Sequence, residues 1–186
     1  GLDSSANPGN SSYINEGPDY NGLAWAYSLW ASFVDPQPLE HRVLFTQGDS
    51  SNWIALYQLS GGGIGYSICI NNTIVCTDAI AITNMTSHHI FLYVNLDLYE
   101  VVELYIDGQL VSQLSPGAYP YNAIAVHTAL IIGNYNSGVL DGSGSPFKEG
   151  HYGVIADFCL WGENNTSGLI PVFTATDIEN IYLAGQ

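Results

Sequence analysis

This chain has almost no positive charge. Arg42 and Lys148 are its only basic side chains besides histidine, and against 17 carboxylates they leave a formal net charge of −15 over 186 residues. Charged residues make up 10% of the sequence, against roughly 25% in an ordinary domain. The imbalance therefore comes from missing cations and not from a surplus of carboxylates. Two cations cannot neutralise a phosphate backbone, which excludes nucleic-acid binding. No run of about 20 apolar residues is available to span a bilayer as a helix, so no membrane insertion is expected. No basic-plus-apolar leader precedes Gly1, and the chain reads as a mature, processed product. Cysteine is scarce too, at three residues, and His41, His88, His89, His127 and His151 are scattered. None of these shows the spacing of a metal site.

What fills the surface instead is Asn, Ser, Thr, Gly, Gln and Tyr, a neutral polar coat suited to an exposed, glycosylated or acid-bathed protein. The sequence pI is about 4.1, so in an acidic medium the chain carries little charge and copies of it can approach one another closely. Five asparagines satisfy the acceptor pattern N-x-[ST]: Asn10, Asn71, Asn84, Asn164 and Asn165. Each falls in a stretch that reads as loop or turn, which predicts a secreted glycoprotein, extracellular or on a cell or virion surface. Cys69 and Cys76 flank INNTIV, a hairpin signal. With Asn72 and Thr73 as the turn, the two cysteines fall opposite each other, with Cβ atoms about 4.5–5.5 Å apart. This predicts a disulfide, the alternative being two small buried hydrophobes. Cys159, inside VIADFCLW, reads as a buried residue of that second kind.

Residues 1–22 are rich in Gly, Ser, Asn and Pro without sustained alternation, and read as an arm. Residues 23–186 form one domain, large enough to bury its own core. Alternation begins at once: Leu23, Trp25, Tyr27, Leu29, Ala31 and Phe33 share one face, and Ala24, Ala26, Ser28, Trp30 and Ser32 the other. The larger face belongs in the core. Further short strands follow at RVLFTQ, WIALYQL, IGYSICI, HIFLYVNL, YEVVELYID, QLVSQL, ALIIG and YGVIADFCLW, punctuated by Gly, Pro, Asn, Asp and Ser. Such spacing predicts an all-β sandwich or jelly roll. One helix is expected near the C-terminus, with Thr176 and Glu179 as capping box and Ile178, Ile181 and Tyr182 on its apolar face, ending before Gly185.

The order of motifs in the second half, HHIFLYV, YIDG followed by QLV, ALIIG, then SPFKEGHYGVIADFCLW and the terminal helix, resembles the laminin-G-like, concanavalin A-like jelly-roll domain family. The resemblance covers about Leu23 to Leu183. It implies a jelly-roll β-sandwich with a short C-terminal helix, in which Asp107 and Gly108 supply a turn with positive φ and Ala129–Gly133 is a buried strand. Ser87 stands where the family usually has Trp. A second branch of the same fold consists of retaining glucanases with E-x-D-x-x-E on the active strand, where two carboxylates are needed as nucleophile and acid/base. Here Asn95, Asp97 and Glu100 occupy those spacings. An amide cannot serve as the nucleophile, and Asp97 with Leu98 reads as a turn, so no enzyme is expected.

Calcium is a subsidiary possibility, through Asp49 with Asp78 or through Asp141, although one carboxylate per loop reads first as a solvated side chain. With 13 Tyr and 4 Trp on a weakly charged chain, many flat amphipathic surfaces can stack on sugars. Trp53 and Tyr135 are the candidate glycan contacts. The sequence predicts a structural or adhesive subunit of an extracellular assembly whose partners are copies of itself and possibly glycans. Ser11, Ser12, Tyr13, Ile14 and Asn15 form a strand short enough to be donated to a neighbour's open sheet edge. A monomeric lectin-like module that binds a glycan or receptor is the alternative.

Overall fold

A computed structural model describes residues 2–3, 12–14, 24–82, 86–96, 100–117, 130–135, 138–162 and 173–186. Its strands, in chain order, are β1 (Leu2–Asp3), β2 (Ser12–Ile14), β3 (Ala24–Phe33), β4 (Arg42–Gly48), β5 (Trp53–Gln58), β6 (Ile64–Ile70) and β7 (Thr73–Ile80). They continue with β8 (Ser87–Asn95), β9 (Val101–Ile106), β10 (Gln109–Leu114), β11 (Leu130–Ile132), β12 (Glu149–Gly150) and β13 (Gly153–Gly162), and the chain closes with helix α1 (Ala175–Ala184). One sheet runs β1-β13-β3-β8-β9-β10 and the other β2-β11-β4-β5-β6-β7, with β12 alongside β4. All pairs are antiparallel except β12 with β4.

The alternation of β3 decides which face meets the other sheet. Trp25, Tyr27, Leu29, Ala31 and Phe33 enter the central core, where Tyr27 stacks on Phe45 at a centroid distance of 4.6 Å. Burying each large apolar side chain is worth about 1.5–3 kcal/mol. The central strands β5, β6 and β8 are buried along nearly their whole lengths, whereas β7 and β10 are mostly exposed or half-buried. A strand of an antiparallel sheet buries both faces only when something covers its outer one, and here both sheets are covered.

The described parts of the segment expected as an arm are strands of the chain's own sheets. Leu2 and Asp3 pair with Ile155 and Val154, and Ser12–Ile14 pairs with Leu130–Ile132. In this structure the short strand pairs within its own chain. Ser11 and Asn15 lie outside the described residues, as do Asn10, Asn84, Asp97, Leu98, His127, Asn164 and Asn165.

Local register overturns the cysteine expectations. The β6–β7 turn is made by Asn71 and Asn72, with φ of 50° and 62°, the twist-matched turn that asparagine tolerates. It sits one residue earlier than Asn72–Thr73, so Cys69 opposes Ile74, and a bulge then sets Cys76 opposite Ile68. Cross-strand neighbours share a face, and the two thiols therefore project to opposite faces of one sheet. All three cysteines are free. Cys159 is exposed for the same kind of reason. A bulge places Asp157 (φ 50°) and Phe158 against Leu29 and shifts the register by one, so Cys159 opposes outward-facing Ser28 in place of core-facing Tyr27. Phe158 takes the inward position, edge-on to Phe45 at 5.5 Å. The helix cap differs too: Thr174 and Asp177 form the capping box, two residues before the expected pair.

Candidate binding surface

The face of a jelly-roll sheet is one place for a ligand, and in this chain both faces are filled by the chain itself. On the β3–β8–β9 side, Ile178 of α1 is fully buried against a cluster containing Phe91, Tyr93 and Tyr105. Tyr182 stacks on Trp30, so Trp30 is neither a core residue nor open to a ligand. Beneath it lies His89, 1% exposed, its Nε2 2.8 Å from Ser28 Oγ, and burial lowers its pKa from 6.5. His88 contacts Asp107, whose second carboxylate oxygen accepts the His89 backbone N–H. The Asp107–Gly108 turn has the expected positive φ, 51° and 75°, and its carboxylate also ties β9 to the start of β8.

On the β4–β5–β6 side the cover is irregular chain. Val139, Leu140 and Phe147 pack over Val43, Trp53 and Tyr57. Trp53, expected at a glycan-contacting rim, is 1% exposed and belongs to this buried layer. Tyr135 is half-buried with its ring 6.3 Å from Phe147. The structure brings the two candidate contacts into one layer but removes Trp53 from any ligand. Asp141, 5% exposed, holds the cover in place: its Oδ1 accepts the N–H groups of Ser143 and Ser145 and the Ser143 hydroxyl. The Gly142 N–H donates to Tyr57 Oη at 2.9 Å. A Cβ on Gly142 would collide with Thr77 Oγ1.

The carboxylates considered for calcium are engaged by protein donors. Asp49 Oδ1 accepts the N–H groups of Ser51 and Asn52, and Asp78 accepts the Ser112 hydroxyl. Among the described residues no three His, Cys, Asp or Glu side chains converge as a metal site would need. Asn95 is fully buried and donates to Tyr93 Oη, while Glu100 is exposed with φ 49°. A cleft of about 350 Å³ opens between β7 and the end of β10, lined by Ile74, Val75, Cys76, Thr77, Leu114, Ser115 and Pro116. It has no aromatic ring, and burial pushes the Cys76 thiol up to about 11, which leaves it an inert thiol.

What remains open and built is the rim formed by two loops at one end of the second sheet. Asp49 folds the β4–β5 loop through its two backbone bonds, and Gly48 (φ 122°) is required there because a Cβ would meet the Asn52 carbonyl. Asn52 Oδ1 then accepts the Asn71 N–H at 2.9 Å, and Ser51 O accepts the Asn72 N–H at 2.8 Å. The Cys69 thiol also points to Ser51 O, at 3.5 Å. The result is a rigid ledge that leaves Asp49, Ser50, Asn71 and Asn72 exposed. Their amides, hydroxyl and carboxylate can donate to and accept from a polyol. Sequence reasoning saw Asn71 only as a glycosylation acceptor and missed the ledge, whose signal was the pairing of GDSSN with an Asn-Asn turn.

Both cations face carboxylates, Arg42 half-buried and Lys148 exposed. Arg42 Nε is 2.8 Å from Glu149 and its Nη1 is 3.2 Å from Asp35, while Lys148 Nζ is 2.8 Å from Glu40.

This architecture is a jelly-roll, concanavalin-like sandwich, the fold of laminin-G domains. The receptor-binding domain of botulinum neurotoxin D superposes with a TM-score of 0.69 at 12% identity, over 99% of this chain and 43% of that one. Domain 4 of the extracellular arabinanase AbnA from Geobacillus stearothermophilus, solved with arabinotriose, gives 0.62 at 13% identity over 92% and 72%. Domains LG4-5 of the mouse laminin α1 chain give 0.63 at 9% identity over 84% and 40%. The chain thus spans about two-fifths of the botulinum and laminin chains it matches. No protein-family model and no curated protein sequence matches it.

Proposed function

We propose that this chain is a non-enzymatic, extracellular, lectin-like module that binds a neutral glycan at the Asp49–Asn52 and Asn71–Asn72 ledge. The observation that carries this reading is the ledge's preorganisation. Its loops are tied to one another by a backbone bond, Asn72 N–H to Ser51 O, and by the Asn71 N–H on the Asn52 side chain, so little conformational entropy is lost on binding. Neutrality follows from charge: at −15, with both cations engaged by carboxylates, a sialylated or sulfated sugar is repelled. Among structures of the same fold, the arabinanase domain is in complex with arabinotriose, an uncharged sugar. Cell entry of botulinum neurotoxin type C, a chain of the same fold, depends on interaction with two ganglioside molecules; gangliosides are anionic, so the preference for a neutral sugar rests on the charge of this chain alone. The test is binding of the full chain to arrayed neutral and anionic oligosaccharides. Saturable binding confined to neutral members, weakened by Asn72→Ala, is expected; binding to none, or binding indifferent to Asn72, defeats the reading.

A second reading is assembly with copies of itself, and it draws on the edges. Strands β7 and β10 end their sheets, and the opposite edges are closed by the two-residue β1 and three-residue β2. Strands so short are readily exchanged between chains, so the segment around Ser12–Ile14 would pair with Leu130–Ile132 of a neighbour as it does in cis. Light scattering of the full chain and of one lacking residues 1–22 decides this. Multimers that vanish on truncation support assembly, and a monomer at every concentration removes it.

A further inference from the structure

Asn71, one of the exposed residues of the ledge, carries a second feature. Asn71 heads the sequence Asn71-Asn72-Thr73, and the fold places all three at the exposed tip of the β6–β7 hairpin. The backbone N–H of Asn71 is held by Asn52 Oδ1, but its side chain makes no hydrogen bond among the described residues. Its φ of 50° lies in the left-handed region that asparagine tolerates at a turn, and the residue is exposed, as are Asp49 and Ser50 of the loop bonded to it through Asn52. Asn10, Asn84, Asn164 and Asn165 also satisfy the acceptor pattern but lie outside the described residues.

From this placement, and resting on the reading of the ledge as a glycan site, we infer that Asn71 is an N-glycan acceptor whose own glycan covers the ledge, so that modification and ligand binding exclude each other. The chemistry needs a lipid-phosphate-linked oligosaccharide as co-reactant. Asn71 Nδ2 bonds to C1 of its reducing-end sugar, the C1–O bond to phosphate breaks, and the lipid phosphate departs. One amide proton is lost to base, and no electrons are exchanged with an outside group. A sugar on Nδ2 replaces a small exposed amide with a bulky polyol tethered beside Asn72 and Ser50. As a covalent neighbour it is present at an effective concentration that a free oligosaccharide does not match.

The experiment compares the full chain with Thr73→Ser and Thr73→Ala, each secreted from a host that glycosylates such acceptors. Thr73 is exposed and is no part of the proposed contact, and the serine variant preserves the acceptor pattern. Glycopeptide mass spectrometry reads occupancy of Asn71. Binding to immobilised neutral oligosaccharides, arabinotriose among them, is then measured on the same preparations. Occupied Asn71 in the wild type and Thr73→Ser, empty Asn71 in Thr73→Ala, and binding at least about tenfold tighter in Thr73→Ala are expected. An Asn71 empty in all three overturns the modification while leaving the proposed binding standing. Occupied Asn71 with undiminished binding overturns the exclusion. Absence of binding in all three overturns the ledge as a glycan site and the exclusion with it, and occupancy then judges the modification by itself.

Discussion

The two outer faces of this sandwich are closed in different ways. Over β3, β8 and β9 the cover is a helix that contributes apolar and aromatic side chains, with Ile178 fully buried and Tyr182 on Trp30. Over β4, β5 and β6 the cover is irregular chain, which closes only part of its backbone hydrogen bonding itself, through Asp141 N–H to Ser145 O and Gly144 N–H to Asp141 O, and needs other partners for the rest. It is pinned by one buried carboxylate, Asp141, and by the Tyr57 hydroxyl. The helix supplies its own hydrogen bonds and needs only burial; the loop has burial from Val139 and Phe147 but depends on donated polar partners. Both covers occupy surface that a ligand would otherwise reach, and the rim of the second sheet at Asp49, Ser50, Asn71 and Asn72 stays exposed.

The contrast breaks most sharply at Asp141. Asp141→Ala removes the acceptor of two backbone N–H groups and a hydroxyl in a buried setting, and is expected to cost about 4 kcal/mol. Hydrogen exchange should rise across residues 138–147 while α1 stays protected. Ile178→Ala is the matching lesion on the other side. It is expected to cost about 3 kcal/mol through lost burial and a cavity, with exchange rising over 175–184 and chemical denaturation giving the total. If either variant loosens both covers alike, the two are not independent.

Acid should distinguish the covers without mutation. Burial pushes His151, fully buried with Nε2 3.0 Å from Ser32 O, down to about 4, and also lowers His89 beneath α1. A histidine whose folded pKa lies below its unfolded value of 6.5 binds fewer protons folded than unfolded. Its contribution is therefore complete above pH 6.5 and is lost as pH falls from 6.5 to about 4. The loss amounts to about 3 kcal/mol for His151. Denaturation at a series of pH values should show this slope, reduced in a His151→Gln variant, and the helix cover should loosen before the loop cover because His89 lies under α1. The smallest effect is expected from Thr174→Ala, which removes the α1 cap and should lower stability by about 1 kcal/mol, with fraying confined to the first helical turn.

Much of the sandwich was legible because alternation is a local signal. The alternation named Trp25, Tyr27, Leu29, Ala31 and Phe33 as the core face of β3, since side chains of a strand alternate whatever it packs against; Leu23 lies outside the described residues. The positive φ of Asp107 and Gly108 came with the family resemblance, and the closing helix with its Ile178 face came from a three-to-four spacing, which is also a local signal. The disulfide and Cys159 were misread because a bulge or a turn displaced by one residue reverses every face beyond it. Neither event at Val75 or at Asp157 and Phe158 leaves a compositional mark. Trp53 was misread because the residues that bury it, around Val139 and Phe147, follow it by some 90 positions.

The sequence by itself determined the scarcity of cations, the all-β class, the inward face of β3 and the N-x-[ST] pattern at Asn71, all of them properties of composition or of near neighbours. Tertiary structure alone decided which outer faces are closed, that Cys69 and Cys76 lie apart, and that Asn52 and Asn71 tie two loops into one ledge. Those outcomes depend on contacts between residues remote in the chain, and their energies arise only when the sheets and their covers come together.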